Sequence, residues 1–346
     1  GHKQERSKVT RKNWKEFKYL WMRCLATDGR CGGTADRIKS VPFILYWAAR
    51  TKRLLMIYWG RPAPLEEFLV PPPFGGIDWR TPPYVHKLCE GSSYLGSTDI
   101  FHRILRRDGE ICVASKYQSW SAGSLPYDEL APGPPFSVVF RDIWRTLFTP
   151  SPPVAGRIKD ALKTLGLKPG AYVAAHLRGL YAIKTRPNHQ LEGLAENAIR
   201  CATHLRPRGP IYFASDSKYA VDHLRRKYGD NSNSSKRIRV VSLQRSYQPL
   251  HVEKTPNWTE RHPSEYYDTF VDLYLLGLSR CLTYGAGGYG QWGLWMGYDA
   301  SCYIQHGNAR KPYPCNWTEQ NLTVDDDDGN NGVEPLMMFH DIGKKL

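Results

Sequence analysis

The sequence predicts a two-domain α/β protein built on doubly wound parallel sheets, and three observations predict it. Strand-like and helix-like segments alternate from Tyr172 to His306, the order that gives a parallel sheet with helices on both faces. Two glycine-bearing segments, Gly29-Arg30-Cys31-Gly32-Gly33-Thr34-Ala35-Asp36-Arg37 and Tyr284-Gly285-Ala286-Gly287-Gly288-Tyr289-Gly290, each stand where a helix should begin. Glycines there let backbone N–H groups approach a diphosphate closely, and the helix dipole favours its negative charge. Between them, Ala174-Ala175-His176-Leu177-Arg178 puts an imidazole and a guanidinium at the end of a buried-looking strand. Arg is the strongest phosphate ligand among side chains. Together these segments imply a nucleotide diphosphate held between two domains.

In chain order, residues 1–28 read as a basic lead-in followed by a short amphipathic helix ending near Cys24. The first domain, 29–150, opens with a turn at Gly29–Gly33. Thr34 caps a helix running toward Arg50, bent at Pro42, and the strand Arg53–Trp59 follows. Residues 60–150 are rich in Pro, Gly and aromatics, with poor periodicity. The prolines at 132–135 and 150–153 read as an interdomain linker. The second domain, 151–346, is clearer. Strands are expected at Tyr172–His176, Pro210–Asp216, Arg237–Leu243, Cys281–Tyr284 and Cys302–His306. Helices are expected at Leu194–Leu205, Lys218–Tyr228, from a Ser264 cap to Arg280, and at Gly288–Gly297. Ligands of such sheets bind at the carboxyl ends of strands, where His176, Arg178, Ser215, Asp216 and Gly285–Gly290 lie.

Composition narrows the class. No apolar run approaches 18 residues, so no membrane span is expected. No signal peptide is visible, and Gly1-His2 reads as a scar of trimming, with a native targeting or anchoring segment removed. Eight cysteines and the four sequons at Asn233, Asn257, Asn316 and Asn321 favour an oxidising secretory compartment. The cysteine pairing is left open, and no Cys-x-x-Cys spacing supports a zinc site. The net charge of +15 reads mainly as a solvated face, and no nucleic-acid motif accompanies it. The acidic run Asp325–Asp328 lacks the ligand spacing of a calcium loop.

These motifs, in this order, resemble the GDP-fucose-dependent fucosyltransferases, most closely the protein O-fucosyltransferase branch. The family's G-R-x-G-N-Q-A-D is matched by Gly29-Arg30-Cys31-Gly32-Gly33-Thr34-Ala35-Asp36, and its H-L-R by His176-Leu177-Arg178. Its A-T-D-S is matched by Ala214-Ser215-Asp216-Ser217, its V-V-S-L by Val240–Leu243, and its V-D-L-Y-x-L-G by Val271–Gly277. Two positions depart. Gly33 and Thr34 replace Asn-Gln, and Gly287-Gly288-Tyr289 replaces an S-S-F-type turn.

The resemblance implies a GT-B-like fold, two Rossmann-type domains facing each other across a cleft, with the N-terminal domain on the acceptor side and the GDP-sugar on the C-terminal one. It implies an inverting, metal-independent transfer of fucose from GDP-fucose to a protein Ser/Thr or glycan hydroxyl in the lumen of the endoplasmic reticulum or Golgi, with no cofactor. Arg178 would contact the diphosphate and stabilise the charge that develops as the sugar–phosphate bond breaks; the alternative is a strand-end salt bridge. His176 leaves the same strand face and would hydrogen-bond the nucleotide, unless it is a structural core histidine. Asp216 would accept from guanine, or else cap the next helix, as Ser215 or Ser217 could equally do. Gly287, Gly288 and Tyr289 would bring amides to the diphosphate or form a simple turn, and Gly32 and Gly33 face the cleft in the family. Asp272 would pair with a basic residue near the site, and Lys184 would neutralise phosphate or stand in solvent. No metal site and no general base are identified. Two rival functions remain: a GT-B enzyme using another nucleotide-sugar, and a non-catalytic glycan-binding protein of this fold.

Overall fold

The computed structural model describes residues 9–28, 31–92, 94–95, 109–115, 136–180, 186–206, 209–228, 238–253, 255–307 and 311–315. The chain divides into two compact units, Gly1–Pro153 with His251–Tyr266, and Val154–Leu250 with Tyr267–Leu346.

The first unit contains β1 (Tyr19–Cys24), α1 (Thr34–Lys39), α2 (Val41–Arg50), β2 (Leu54–Trp59), β3 (Leu69–Val70), α3 (Pro83–Cys89), β4 (Tyr94–Leu95), β5 (Cys112–Ser115), α4 (Phe136–Leu147) and β6 (Thr149–Pro150). Its sheet runs β2-β1-β5-β4 with every neighbour parallel, and β3 pairs antiparallel with β6. The helix expected to end near Cys24 is instead β1. All six of its residues are buried, the pattern of a parallel strand covered on both faces rather than of an amphipathic helix. Arg23 is tolerated inside because its guanidinium donates to the carbonyls of Cys89 at 3.1 Å, Glu90 at 2.7 Å and Ser92 at 3.0 Å, capping the end of α3.

The single helix expected from Thr34 to Arg50 is two. Gly33, not Thr34, is the N-cap of α1, and the chain breaks at Ser40. Pro42 sits in the first turn of α2, where its missing N–H leaves no bond unmade. Pro150 belongs to β6, and Pro152 and Pro153 begin the next helix, so the chain passes from the first unit to the second here, at Pro153–Val154, within regular secondary structure rather than a linker. Residues 131–135 lie outside the described residues.

The chain of the second unit is carried by α5 (Pro152–Thr164), β7 (Val173–Leu177), α6 (Asn188–Leu205), β8 (Gly209–Ser215), α7 (Lys218–Tyr228), β9 (Ile238–Val241), α8 (Tyr267–Gly277), β10 (Cys281–Tyr284), α9 (Gly288–Met296) and β11 (Tyr303–Gln305). The order is β11-β10-β7-β8-β9, parallel throughout. Val173, Ala175 and Leu177 of β7 and Ile211 and Phe213 of β8 pack against Leu194, Ala198 and Ile199 of α6 and Leu224 of α7. Each fully buried aliphatic or Phe side chain contributes about 1.5–3 kcal/mol.

Residues 251–266, expected within the C-terminal domain, belong to the first unit. Glu253 explains the attachment. Its carboxylate accepts from the Cys31 amide at 2.9 Å, Arg61 at 2.7 Å and Arg37 at 3.2 Å. The helix expected from Ser264 therefore starts later, at Tyr267, after a 3-10 turn over Pro263–Tyr266. Four disulfides, Cys24–Cys31, Cys89–Cys112, Cys201–Cys315 and Cys281–Cys302, pair all eight cysteines, and each lies within one unit. No helix among the described residues is long and apolar enough to cross a membrane.

Candidate functional site

The second unit gathers the polar motif residues at the carboxyl ends of three adjacent strands, β10, β7 and β8. His176 is the fourth residue of β7 and is 5% exposed. Its ring lies 5.1 Å from that of Tyr289, and its Nδ1 has no hydrogen-bond partner among the described residues. Burial lowers its pKa to about 3, assisted by the charge of Arg178 and by His306, so the ring is neutral at physiological pH.

Arg178 follows β7 and is half-buried, close enough to Asp216 for its charge to lower that group's pKa. Asp216 follows β8. Its Oδ1 accepts the amides of Gly179 at 2.7 Å and Leu180 at 3.2 Å, stitching the end of β8 to the loop after β7. Burial nonetheless holds its carboxyl above the ordinary range. Asp216 does not cap α7. Ser217 does, its Oγ accepting the Ala220 amide at 3.3 Å, while Ser215 Oγ accepts from Ser217 N at 3.1 Å.

The glycine turn after β10 leads directly into α9. Gly287 is its N-cap with φ +88°, a conformation that a side chain would strain. Gly288 and Tyr289 form the first turn, whose amides have no intrahelical acceptor. Tyr289 is fixed by donating its hydroxyl to the Thr269 carbonyl. Asp272, inside α8, pairs at 2.8 Å with Arg245 and accepts the hydroxyl of Tyr212. Arg245 is a residue that sequence reasoning missed. It also binds Asp268 at 3.1 Å; burial by itself lowers its pKa, but the charges of Asp272, Tyr212 and Asp268 outweigh that and raise it further.

In the first unit Gly32 has φ +72° and Gly33 N donates to Asp36 Oδ2 at 3.0 Å. Arg37 is fully buried, donates to the Gly32 carbonyl at 3.0 Å and lies 4.6 Å over the Trp59 ring. Lys184 and the sequons at Asn233, Asn316 and Asn321 lie outside the described residues, whereas Asn257 is exposed.

No protein-family model and no curated protein matches the chain. Among solved structures, a point mutant of Arabidopsis thaliana FUT1 in complex with GDP aligns with 85% of this chain and 74% of its own, with TM-score 0.60 and 15% identity. NodZ α-1,6-fucosyltransferase soaked with GDP-fucose covers 82% of this chain and 93% of its own, with TM-score 0.52 and 13% identity. NodZ from Bradyrhizobium aligns at TM-score 0.50 and 15% identity over 82% of this chain and 94% of its own. The mixed α/β fold with parallel sheets is thus shared with fucosyltransferases.

Proposed function

We propose that the protein is an inverting, GDP-fucose-dependent fucosyltransferase of the GT-B type, acting on a protein or glycan hydroxyl in the secretory-pathway lumen. The observation that carries this reading is the meeting of His176, Arg178, Asp216 and the Gly287–Tyr289 turn at adjacent strand ends of one sheet. Fold likeness to structures holding GDP and GDP-fucose supports it. The four disulfides support the compartment.

In this reading the diphosphate lies at the first turn of α9 and the guanidinium of Arg178. The bond from the anomeric carbon to the β-phosphate oxygen breaks and its electron pair leaves with GDP, while the acceptor oxygen bonds the opposite face of that carbon and its hydroxyl proton passes to solvent. Arg178 and the free amides of α9 stabilise the departing charge, so no metal is needed for that task. His176 meets the nucleotide as a neutral imidazole, and guanine shares the Asp216 carboxylate with the amides of Gly179 and Leu180. Ser215 belongs to the same strand end. The Asp272–Arg245 pair holds α8, and through Thr269 the ring of Tyr289. Lys184, like Asp272, is a supporting residue in this proposal rather than a donor contact.

A thermal-shift panel of GDP-fucose, GDP-mannose and UDP-sugars tests the donor, followed by turnover with and without excess EDTA. Stabilisation by the GDP compounds and unimpaired turnover in EDTA are expected. Equal response to UDP-sugars would remove the guanine role, and loss of activity on chelation, restored by Mn²⁺, would remove the metal-free route. The glycine at position 33 favours one rival, a non-catalytic glycan-binding protein. Release of fucose from GDP-fucose by the protein alone would dismiss it.

A further inference from the structure

We infer that His306 is a positioning residue for the proposed donor site, aligning the strand end that bears His176 with the glycine turn that begins at Gly285. The inference rests on the function proposed above. His306 follows β11 and is 1% exposed. Its Nε2–H donates to the carbonyl of His176 at 3.0 Å, and that same carbonyl accepts the amide of Gly285 at 3.3 Å. The His306 amide in turn donates to the Tyr284 carbonyl at 2.9 Å. One residue therefore grips both motif-bearing segments, the end of β7 and the turn into α9.

The backbone of His306 is itself held from behind. Its carbonyl accepts Asn197 Nδ2 of α6 at 2.6 Å and the Tyr313 amide at 2.9 Å. Cys302, at the start of the same strand segment, is disulfide-bonded to Cys281 of β10. A Cβ on Gly285 would lie 3.0 Å from His306 Cε1, so the glycine is what lets the turn close onto the imidazole. The bond to a carbonyl fixes the tautomer with its proton on Nε2, leaving Nδ1 without a partner among the described residues. Burial lowers the pKa to about 4, so the donor is a neutral ring. His306 reaches no proposed ligand group directly. It acts through the backbone that aims His176 and, two residues on, Arg178.

The test uses the intact chain with His306→Gln and His306→Asn. Gln carries an N–H donor near the position of Nε2, whereas Asn is one methylene too short to reach the His176 carbonyl. GDP affinity is measured by titration calorimetry and the melting temperature is taken without nucleotide. The expected result is that Gln binds GDP within about twofold of wild type. Asn should bind about fivefold more weakly, and its nucleotide-free melting temperature should fall below that of Gln because the lost hydrogen bond lies within the folded protein. Equal GDP affinity of Asn and wild type overturns the inference, as does equal impairment of both variants, which would make the role one of volume alone. Should Asn fail to fold, a folded Gln variant with tenfold weaker GDP binding also overturns it. A folded wild-type protein that does not bind GDP defeats the proposed function itself, and the inference with it.

Discussion

His251 occupies the space into which a side chain at Gly33 would project. A Cβ on Gly33 would lie 3.2 Å from both Cε1 and Nε2 of that imidazole. The ring is oriented by the Glu253 amide, which donates to its Nδ1 at 3.1 Å. This gives a physical reason for glycine where the resembling family has Asn: the volume is filled from a segment more than two hundred residues away. Gly33→Ala should destabilise by about 1 kcal/mol through overpacking, and His251→Ala should remove most of that penalty in the double mutant. Additive effects in a denaturant-unfolding cycle would refute the contact.

Glu253 makes the second prediction. Its side chain is 7% exposed between Arg37 and Arg61. Glu253→Ala leaves two guanidiniums without their shared carboxylate, and breaking such a buried pair costs about 3–5 kcal/mol. The 251–266 segment should then become sensitive to limited proteolysis. Unchanged protease resistance would mean that other contacts hold the segment.

Arg178→Ala should leave the fold nearly intact because the residue follows β7 and is only half-buried. Turnover should fall by about 10²–10³, the effect of losing one preorganised donor at developing charge. Arg178→Lys should recover only part, keeping the charge without the fork. GDP affinity should weaken less than turnover. A folded Arg178→Ala protein with near-normal turnover would place the diphosphate elsewhere.

The two buried histidines set an acid sensitivity. Their folded pKa values, about 3 for His176 and about 4 for His306, lie below the ordinary 6.5. The unfolded chain therefore binds protons first. The stabilisation from each neutral ring is complete above pH 6.5 and is lost as pH falls toward 4 for His306 and toward 3 for His176. Asp216 and Asp272, both raised by burial, oppose this trend, since their contribution is present at low pH and is lost as pH rises above the ordinary 3.8. Removing His306 as Gln should flatten the fall in unfolding free energy between pH 6.5 and 4 by up to about 1.4 kcal/mol per pH unit. An unchanged slope would show that His306 does not titrate with unfolding.

The second unit was legible because its strands are short apolar runs between amphipathic helices. Lys218–Tyr228 and Cys281–Tyr284 appear in the structure with the expected bounds. Strand β1 was not legible. Its sequence Tyr19-Leu20-Trp21-Met22-Arg23-Cys24 carries no alternation, and Arg23 reads as a surface charge until the α3 carbonyls that bind it are known. The attachment of 251–266 was hidden for a related reason. Glu253, Arg37 and Arg61 look like solvated charges, and only the fold brings them together. Arg245 and His306 were missed because neither lies within a recognisable motif, although each touches residues that do.

The central claim is that fucose leaves GDP at this protein. The most direct test incubates the protein with GDP-fucose and an array of folded EGF-like and thrombospondin-like modules, N-glycans and xyloglucan fragments, and follows GDP release together with fucose incorporation. GDP release from GDP-fucose is expected, with incorporation on at least one acceptor class and inversion at the anomeric carbon seen by NMR of the product. Turnover of a different nucleotide-sugar with GDP-fucose left intact, or a product of retained configuration, would contradict it.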